Sequence, residues 1–301
     1  MRDLDESNIT AAVIDRFGGT PDPRLKEIMT KLVRHLHDFV RDAELTFDEW
    51  ATTIDFLTRT GRICSETRQE FILLSDTLGV SMLVDAINHR MPAGATQTTV
   101  LGPFYAENSP EMALGADIAR GIDGEPLFVQ GRVFSAGGGP IAGAVIDTWH
   151  SDADGYYDVQ KADLTTASLR GRFRAGADGR FHFWSILPRF YPIPDDGPVG
   201  QMLAATNRHP YRPAHVHFMI EAPGHERLIT HVFEAGDRYL DSDAVFGVKS
   251  SLIREFTKEP AGMAPDGRRI DRAWRKLSYD FGLKQTLDRS RVAQRHQGGD
   301  Q

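Results

Sequence analysis

Cysteine is almost absent from this chain, and its scarcity removes whole classes of site. Among 301 residues only Cys64 is a cysteine, so an intramolecular disulfide and any cysteine-rich zinc or iron–sulfur site are excluded. Cys64 itself is expected to be a small buried hydrophobic residue. Any metal in this protein must therefore be bound by nitrogen and oxygen ligands.

Long apolar runs and an excess of positive charge are also lacking. No stretch of about 18 apolar residues occurs, and the sequence begins with an acidic segment, Met1 to Glu6, unlike a secretory signal. We therefore expect a cytoplasmic protein without a membrane partner. The 35 Lys and Arg residues stand against 42 Asp and Glu, a net charge of -7, which argues against a surface that follows nucleic-acid phosphates. Nucleic acid is not expected as a partner.

The first part of the chain has helical periodicity. The length of 301 residues exceeds that of a typical single core, which predicts two domains or one domain with an N-terminal extension. Asp22 and Pro23 supply a helix start, and Thr46 with Glu49 forms a capping box for a second helix that would bury Trp50, Ile54 and Leu57. Two further predicted helices cover residues 66–78 and 81–88. We therefore predict a helical domain over residues 1–90.

From Met91 the pattern changes to short apolar runs broken by Gly, Pro, Asp and Asn. Runs at 127–134 and 144–149 flank a glycine-rich turn and predict a β-hairpin. Other predicted strands cover residues 172–174, 181–186, 214–220 and 228–233. Closely spaced strands with no helical pattern between them predict an antiparallel β-sandwich over residues 91–286, so the fold class is α+β. A polar tail at 287–301 is expected to be poorly ordered.

The main metal signal is the His-x-His pair in Arg212-Pro213-Ala214-His215-Val216-His217. If this stretch is a strand, His215 and His217 point to the same face. Two residues of strand advance roughly 6.6 Å, so two imidazoles that lean together can meet at one metal ion. On the first predicted helix, by contrast, His35 and His37 diverge by roughly 200° and are not expected to bind a metal together. The strand pair is half of a site.

The residues alone leave other interpretations open. Glu221 after His217 imitates part of a cupin metal motif, although a straight strand would hold it roughly 13 Å from His217. A non-catalytic sandwich that binds a ligand would contain similar strands. Tyr157 and Tyr191 lie in segments rich in glycine or proline, where a tyrosine is usually a packed ring whose hydroxyl bonds to the backbone.

Four ordered motifs make the chain resemble the intradiol ring-cleaving dioxygenases. They are Leu101-Gly102-Pro103-Phe104-Tyr105, Trp149-His150 with Gly155-x-Tyr157, Ile186-Leu187-Pro188-x-x-Tyr191-x-x-Pro194, and Arg212-Pro213-Ala214-His215-x-His217. The resemblance extends from the N-terminal helices to about residue 255. It implies a catalytic β-sandwich behind a helical domain, with one non-haem Fe(III) per subunit. The implied ligands are Tyr157, Tyr191, His215 and His217.

The resemblance also implies roles in the cleavage of an aromatic diol by O2. Tyr191 would be the ligand that leaves the metal and accepts a substrate proton. Arg212 would stabilise the anionic ring, although an arginine is more often part of an ordinary salt bridge. Two anionic ligands favour ferric iron, which points to activation of the substrate rather than of O2 by ferrous iron.

Two segments, 71–79 and 236–249, are similar to the hydroxyquinol-cleaving members of that family. They favour hydroxyquinol (benzene-1,2,4-triol) as the substrate, with catechol or a substituted catechol as the alternative. Asp76 could accept a hydrogen bond from the third hydroxyl group and so discriminate against catechol. His231 would lie beside the metal ligands. The implied pocket residues are Leu73, Asp76, Val100, Leu101, Gly102, Pro103, Phe104, Ile193, Pro194, Arg212 and Val245.

The resemblance also implies that the protein forms a dimer. Members of this family typically form homodimers through their N-terminal helices, some with a phospholipid between the subunits. Amphipathic helices bury their apolar stripe against either a neighbouring domain or a second subunit, so periodicity alone does not separate the two.

Overall fold

The chain divides into two units by its internal contacts. A computed structural model describes residues 2–65, 68–107, 109–161 and 167–286, and the units are Met1–Arg62 and Ile63–Gln301. The boundary predicted at residue 90 stays a prediction. The predicted tail at 287–301 and the predicted helix start at residue 66 lie outside the described residues.

Three helices form the first unit: α1 (Ile9–Asp15), α2 (Pro23–Asp42) and α3 (Phe47–Arg62). The Asp22 carboxylate caps α2 by accepting hydrogen bonds from the N–H groups of Arg24 and Leu25, at 2.8 and 3.3 Å. Thr46 and Glu49 satisfy each other's backbone N–H groups, at 2.9 and 3.3 Å, before α3. Both predicted helix starts are confirmed, whereas the sequence patterns did not reveal α1.

The apolar stripes of α2 and α3 are exposed in the single chain. On α2 the stripe has exposed fractions between 45% and 56%, and it consists of Leu25, Ile28, Leu32, Leu36 and Phe39. On α3, Trp50, Ile54 and Leu57 are 56%, 45% and 38% exposed, so the prediction that this chain buries them was wrong. None of the described helices is long and apolar enough to cross a membrane.

The second unit begins with α4 (Glu70–Thr77) and α5 (Val80–Asn88), which are separated by Leu78 and Gly79. Gly79 has a left-handed φ of 74°, a conformation that glycine adopts at little steric expense. One later helix, α6 (Pro198–Ala205), interrupts the strands. The expectation of no helix between the strands was therefore wrong at this place.

Two sheets of five strands pack face to face. The strands are β1 (Pro126–Ser135), β2 (Val145–Trp149), β3 (Arg170–Arg174), β4 (Arg180–Ile186), β5 (Tyr191–Pro192), β6 (Tyr211–Arg212), β7 (His215–Glu221), β8 (Leu228–Glu234), β9 (Ile253–Arg254), β10 (Thr257–Glu259), β11 (Gly262–Met263), β12 (Arg269–Ile270), β13 (Trp274–Ser278) and β14 (Phe281–Leu283). The first sheet has the order β10-β13-β1-β14, with β4 also paired to β1, and the second has the order β3-β2-β7-β8-β9. A single apolar core contains residues from both sheets, among them Val133 and Phe183 from the first and Ile146, Val216 and Phe218 from the second. The α+β class with a sandwich is therefore confirmed.

Strand pairing differs from the prediction in two respects. The hairpin between β1 and β2 was wrong, because β1 pairs with β4, β13 and β14 whereas β2 pairs with β3 and β7. After the glycine turn only Pro140 and Ile141 return to β1, where the Ile141 N–H donates to Val133 O at 2.9 Å. The chain then crosses to the other sheet. The sheets are also mixed rather than purely antiparallel, since β1 is parallel to both β13 and β14.

Cys64, the only cysteine in the sequence, is partly buried, so the expectation of a buried residue was wrong.

Candidate metal and substrate site

Strand β7 brings His215 and His217 to one face, as the alternation predicted. Each residue is 1% exposed, and their Nε2 atoms are 3.0 Å apart. The neighbouring strands add rings on both sides of His217. Trp149 on β2 lies opposite it in register and stacks on it at 4.6 Å, and His231 on β8 lies opposite it with ring centroids 4.1 Å apart. The pair is therefore held in the centre of a sheet.

Two buried tyrosines approach this pair from different loops. The Tyr157 hydroxyl lies 2.9 Å from His217 Nε2, and the Tyr157 N–H donates to Gln160 Oε1, which fixes the loop after β2. Tyr191 lies on β5, and its ring centroid is 5.1 Å from that of Tyr157. The two phenols are hydrogen-bonded to each other. The structure thus brings together all four side chains that the resemblance implied as ligands.

The donor atoms of this cluster suit a cation. Nδ1 of His215 bonds to the carbonyl of Pro213 at 2.7 Å, which makes Nδ1 the protonated nitrogen and leaves the lone pair of Nε2 facing the cluster. Burial lowers the pKa of both His215 and His217 well below the ordinary value, so both rings are neutral, as metal ligands must be. Among the described residues, the one group of His, Cys, Asp or Glu placed to hold a metal is His215, His217 and His231.

The tyrosine chemistry favours a strongly charged ion. Burial, and then the neighbouring Tyr191, raises the pKa of Tyr157 well above its ordinary value, so this phenol keeps its proton unless a cation stabilises the phenolate. Fe(III) is hard and highly charged and would supply that stabilisation. The residues present therefore fit ferric iron.

Arg212 forms a buried ion pair at the edge of this cluster. It lies on β6 directly opposite Tyr191, and its Nε donates to Asp243 Oδ1 at 3.0 Å. One terminal nitrogen, NH1, is 3.4 Å from the Tyr191 hydroxyl, and the other, NH2, is 3.4 Å from Nδ1 of His231. Arg212 is thus both a salt-bridge partner and a charge beside the tyrosine, so the two expectations for it are compatible.

A loop from Val100 to Phe104 forms one wall of the site. Phe104 stacks on Tyr157 with ring centroids 4.4 Å apart and packs in the same cluster as Leu101. Gly102 has a φ of 80°, and a Cβ there would lie 3.3 Å from Cε1 of His217, so only glycine fits without strain. Val100 approaches His231 through its backbone, whereas Pro103 is exposed.

Helix α4 carries a second group of the predicted pocket residues. Leu73 packs with Ile193 and Val245, and Pro194 follows Ile193 in a partly buried position. Asp76 lies three residues after Leu73 on α4 and is 5% exposed. Burial raises the pKa of Asp76 above its ordinary value, while a hydrogen bond with Ser81 and then the charge of Arg212 oppose that rise. The predicted pocket residues therefore lie on two walls, one beside the tyrosines and one beside Arg212.

The remaining polar candidates occupy structural positions. His150 bonds to the carbonyl of Ser151 and to the hydroxyl of Ser185, each at 2.6 Å, and burial lowers its pKa to about 4. His37 bonds to Thr10 at 3.0 Å. Glu221 forms an ion pair with Arg227 at 2.5 Å, which occupies the carboxylate that the cupin interpretation needs for the metal.

Three features of the site do not follow from the sequence patterns. The stacking of Trp149 on His217 was not predicted, because it depends on the pairing of β2 with β7, which the alternation within each strand does not reveal. Asp243 was passed over because 31 residues separate it from Arg212. The Nε2 atom of His231 is buried and has no hydrogen-bond partner among the described residues, a feature that only the fold reveals.

Comparison with known proteins agrees with this arrangement. A family model described as "Dioxygenase" matches residues 100–285, and one described as "Catechol dioxygenase N terminus" matches residues 22–96. The chain is 55% identical over 287 residues to a 6-chlorohydroxyquinol 1,2-dioxygenase of Cupriavidus pinatubonensis, covering 95% of this chain and 100% of that protein. It is 50% identical over 279 residues to a hydroxyquinol 1,2-dioxygenase of Nocardioides simplex, covering 92% and 95%. The solved hydroxyquinol 1,2-dioxygenase from Pseudomonas putida DLL-E4 is similar with a TM-score of 0.89 and 50% identity, covering 93% of this chain and 99% of that one.

Proposed function

The chain belongs to the intradiol ring-cleaving dioxygenase family, and we propose that its substrate is hydroxyquinol, cleaved with O2 to 3-hydroxy-cis,cis-muconate, the enol form of maleylacetate. The observation that carries this proposal is the buried cluster of two histidines and two tyrosines with Arg212 and Asp76 beside it. The curated relatives at 50–55% identity are named for hydroxyquinol substrates, which makes catechol the weaker alternative.

Iron is the metal of this family, and we propose that Tyr157, Tyr191, His215 and His217 hold one Fe(III) per subunit. When bound, Fe(III) would take up the two adjacent substrate oxygens and make the ring reactive toward O2. The protein provides a site from which water is largely excluded, since all four side chains are at most 2% exposed. Low dielectric strengthens every charge interaction inside such a site.

Proton transfer is assigned to Tyr191. Its hydroxyl oxygen lies next to the guanidinium of Arg212 and next to the phenol of Tyr157, so a proton received there stays within a hydrogen-bonded group. As a general base at a fixed position, such a group contributes about 10²–10⁴-fold to the rate.

Arg212 is assigned to charge stabilisation. Burial opposes its charge, but Asp243 and the two tyrosines hold the pKa of Arg212 above its ordinary value, so the guanidinium stays protonated. A permanent positive charge beside the reacting ring would stabilise the anion that develops during attack by O2.

Parallel turnover of hydroxyquinol and catechol tests the substrate proposal. We expect a higher kcat/KM for hydroxyquinol and, with ¹⁸O2, entry of both oxygen atoms into the product. Because hydroxyquinol oxidises spontaneously, the rate is measured against an enzyme-free control and an anaerobic control. A clear preference for catechol would overturn the substrate assignment and leave the metal site intact. A colourless, iron-free preparation with full activity would contradict the metal site as well.

We further propose that the chain is a cytoplasmic homodimer that associates through α2 and α3, with a phospholipid between the subunits. The support is the apolar stripe on α2, which is exposed in the single chain. Helix α1 does not cover this stripe, because it contacts a different face of α2, where Thr10 Oγ1 lies 3.0 Å from His37 Nδ1. Contiguous apolar patches on a monomer usually mark an interface. Mass spectrometry of a chloroform–methanol extract of the purified protein would identify a bound lipid.

Introducing charge into this stripe should dissociate the dimer. Leu36→Glu places a carboxylate on the apolar face and is expected to convert a species of twice 33.5 kDa into one of 33.5 kDa in sedimentation velocity. Lys31→Glu, at an exposed position on the flank of α2 about 100° around the helix from the middle of the stripe, is the control and should remain dimeric. A monomeric wild-type protein, or a dimeric Leu36→Glu variant, would contradict the proposal.

A further inference from the structure

We infer that Asp243 is a positioning residue, which aims the guanidinium of Arg212 at Tyr191 and His231 and so sets the electrostatics of the ring-cleavage site. This inference rests on the proposed function. It concerns the loop at 243–247, of which only Val245 had been assigned to the pocket.

The contacts of Asp243 divide into two sets. One set consists of side-chain bonds to Arg212, from Nε to Oδ1 at 3.0 Å and from NH2 to Oδ2 at 3.3 Å. The other set consists of backbone bonds, from the Gly247 N–H to Oδ2 at 2.9 Å and from the Val245 N–H to Oδ1 at 3.4 Å. Each carboxylate oxygen therefore bonds to the guanidinium and to the loop. The loop holds the carboxylate, and the carboxylate holds Arg212.

The direction of the guanidinium follows from this arrangement. With Nε and NH2 bonded to Asp243, the planar guanidinium has one remaining orientation, in which NH1 lies 3.4 Å from the Tyr191 hydroxyl. The side chains of both partners are buried, at 2% exposure for Arg212 and 1% for Asp243. A free arginine would instead sample several rotamers. Asp243 thus removes that freedom before the substrate arrives.

Gly247 lies directly against the ion pair of Arg212 and Asp243. A Cβ at this residue would lie 3.0 Å from NH2 of Arg212 and 3.2 Å from Oδ2 of Asp243. The backbone here therefore passes close to the ion pair, and a Cβ at this position would push the guanidinium aside by a few tenths of an ångström. Gly247 offers a second way to disturb Arg212 that keeps both charges.

The ion pair between Arg212 and Asp243 also affects a second carboxylate, that of Asp76. Asp76 feels the charges of both Arg212 and Asp243, but its own side-chain hydrogen bond is to Ser81, whereas the guanidinium bonds to Asp243. Because Asp243 occupies the guanidinium edge, Asp76 does not pair with Arg212, and its carboxylate can accept a hydrogen bond from the substrate in addition to the bond from Ser81. Loss of the Asp243 charge would free Arg212 to turn toward Asp76.

A double-mutant cycle tests whether Asp243 acts on catalysis through Arg212 or only stabilises the fold. In the iron-loaded enzyme Asp243→Asn, which keeps the size of the side chain, is expected to lower kcat for hydroxyquinol about 10²-fold, the loss typical of a displacement near 1 Å. In an enzyme that already carries Arg212→Gln, the same Asp243→Asn change should lower kcat by less than about threefold. A residue that acts through Arg212 then has nothing left to position. An undiminished loss on that background would overturn the inference.

Spectra and a matched control complete the test. The tyrosinate-to-Fe(III) absorption band should move to longer wavelength in both Asp243→Asn and Gly247→Ala, because the phenolate of Tyr191 loses a hydrogen-bond donor. Asp147→Asn is the control, since Asp147 is equally buried and pairs with Arg172 on the neighbouring strand β3. Its band and kcat should match the wild type. An unmoved band in Asp243→Asn would overturn the inference alone, whereas a wild-type protein with neither band nor turnover would overturn the proposed function and the inference together.

Discussion

Tyr157→Phe is expected to yield a protein that binds much less iron and loses the absorption contributed by its phenolate. The hydroxyl of Tyr157 lies 2.9 Å from His217 Nε2, inside a pocket where the residue is 1% exposed, so water cannot readily replace the missing oxygen. Removing one of four proposed ligands leaves a neutral histidine pair and a single phenolate. Iron content per chain and the visible spectrum measure the effect.

The corresponding change at the other tyrosine should separate binding from turnover. Tyr191→Phe is expected to keep more iron than Tyr157→Phe but to lose about 10²–10⁴-fold in turnover, because the proposed proton acceptor is gone. Tyr279→Phe is the matched control, as this tyrosine is 8% exposed and its hydroxyl donates to Ser251 O at 3.2 Å within the apolar core. If Tyr157→Phe and Tyr191→Phe both retained the wild-type spectrum and turnover, the ligand assignment would be wrong.

The half of the site on β7 could be predicted because its signal is local. Alternation in Ala214–Ile220 places His215 and His217 on one face, and a strand has no other way to arrange them. Asp22 and Thr46 are local signals of the same kind, since a cap needs only the next three residues. The tyrosines differ, because nothing in their own segments distinguishes a ligand from a packed ring. Their joint position follows from the resemblance and from the fold.

Long-range features account for what the sequence patterns missed. The turn after β1 reverses the chain for two residues, but whether β2 then pairs with β1 depends on which sheet has a free edge for it. Strands buried on both faces read alike in either sheet, so the periodicity does not choose between them. Asp243 is a similar case, since an aspartate in a turn usually bonds to its own backbone, and this one does so while also binding Arg212.

Asp76 is the residue on which the choice between hydroxyquinol and catechol should depend most. It is 5% exposed on α4, three residues after Leu73, and it feels the charges of Arg212 and Asp243. A buried polar group that bonds to a substrate hydroxyl can reject an analogue lacking that hydroxyl by about 10⁴–10⁵-fold, because the group is then left without a partner. The third hydroxyl of hydroxyquinol is the one feature that catechol lacks.

Asp76→Val should therefore reduce the ratio of kcat/KM for hydroxyquinol to that for catechol by roughly 10²-fold or more. Part of the change is a loss with hydroxyquinol, and part is a gain with catechol, whose ring then meets an apolar wall. The ratio is the quantity to measure, since a lower fraction of folded or iron-loaded protein cancels from it. Asp85→Asn on α5 is the control, because this carboxylate is also largely buried but pairs with Lys249 at 3.2 Å. If Asp76→Val keeps the wild-type ratio within about threefold, selectivity comes from the shape of the pocket and not from this carboxylate.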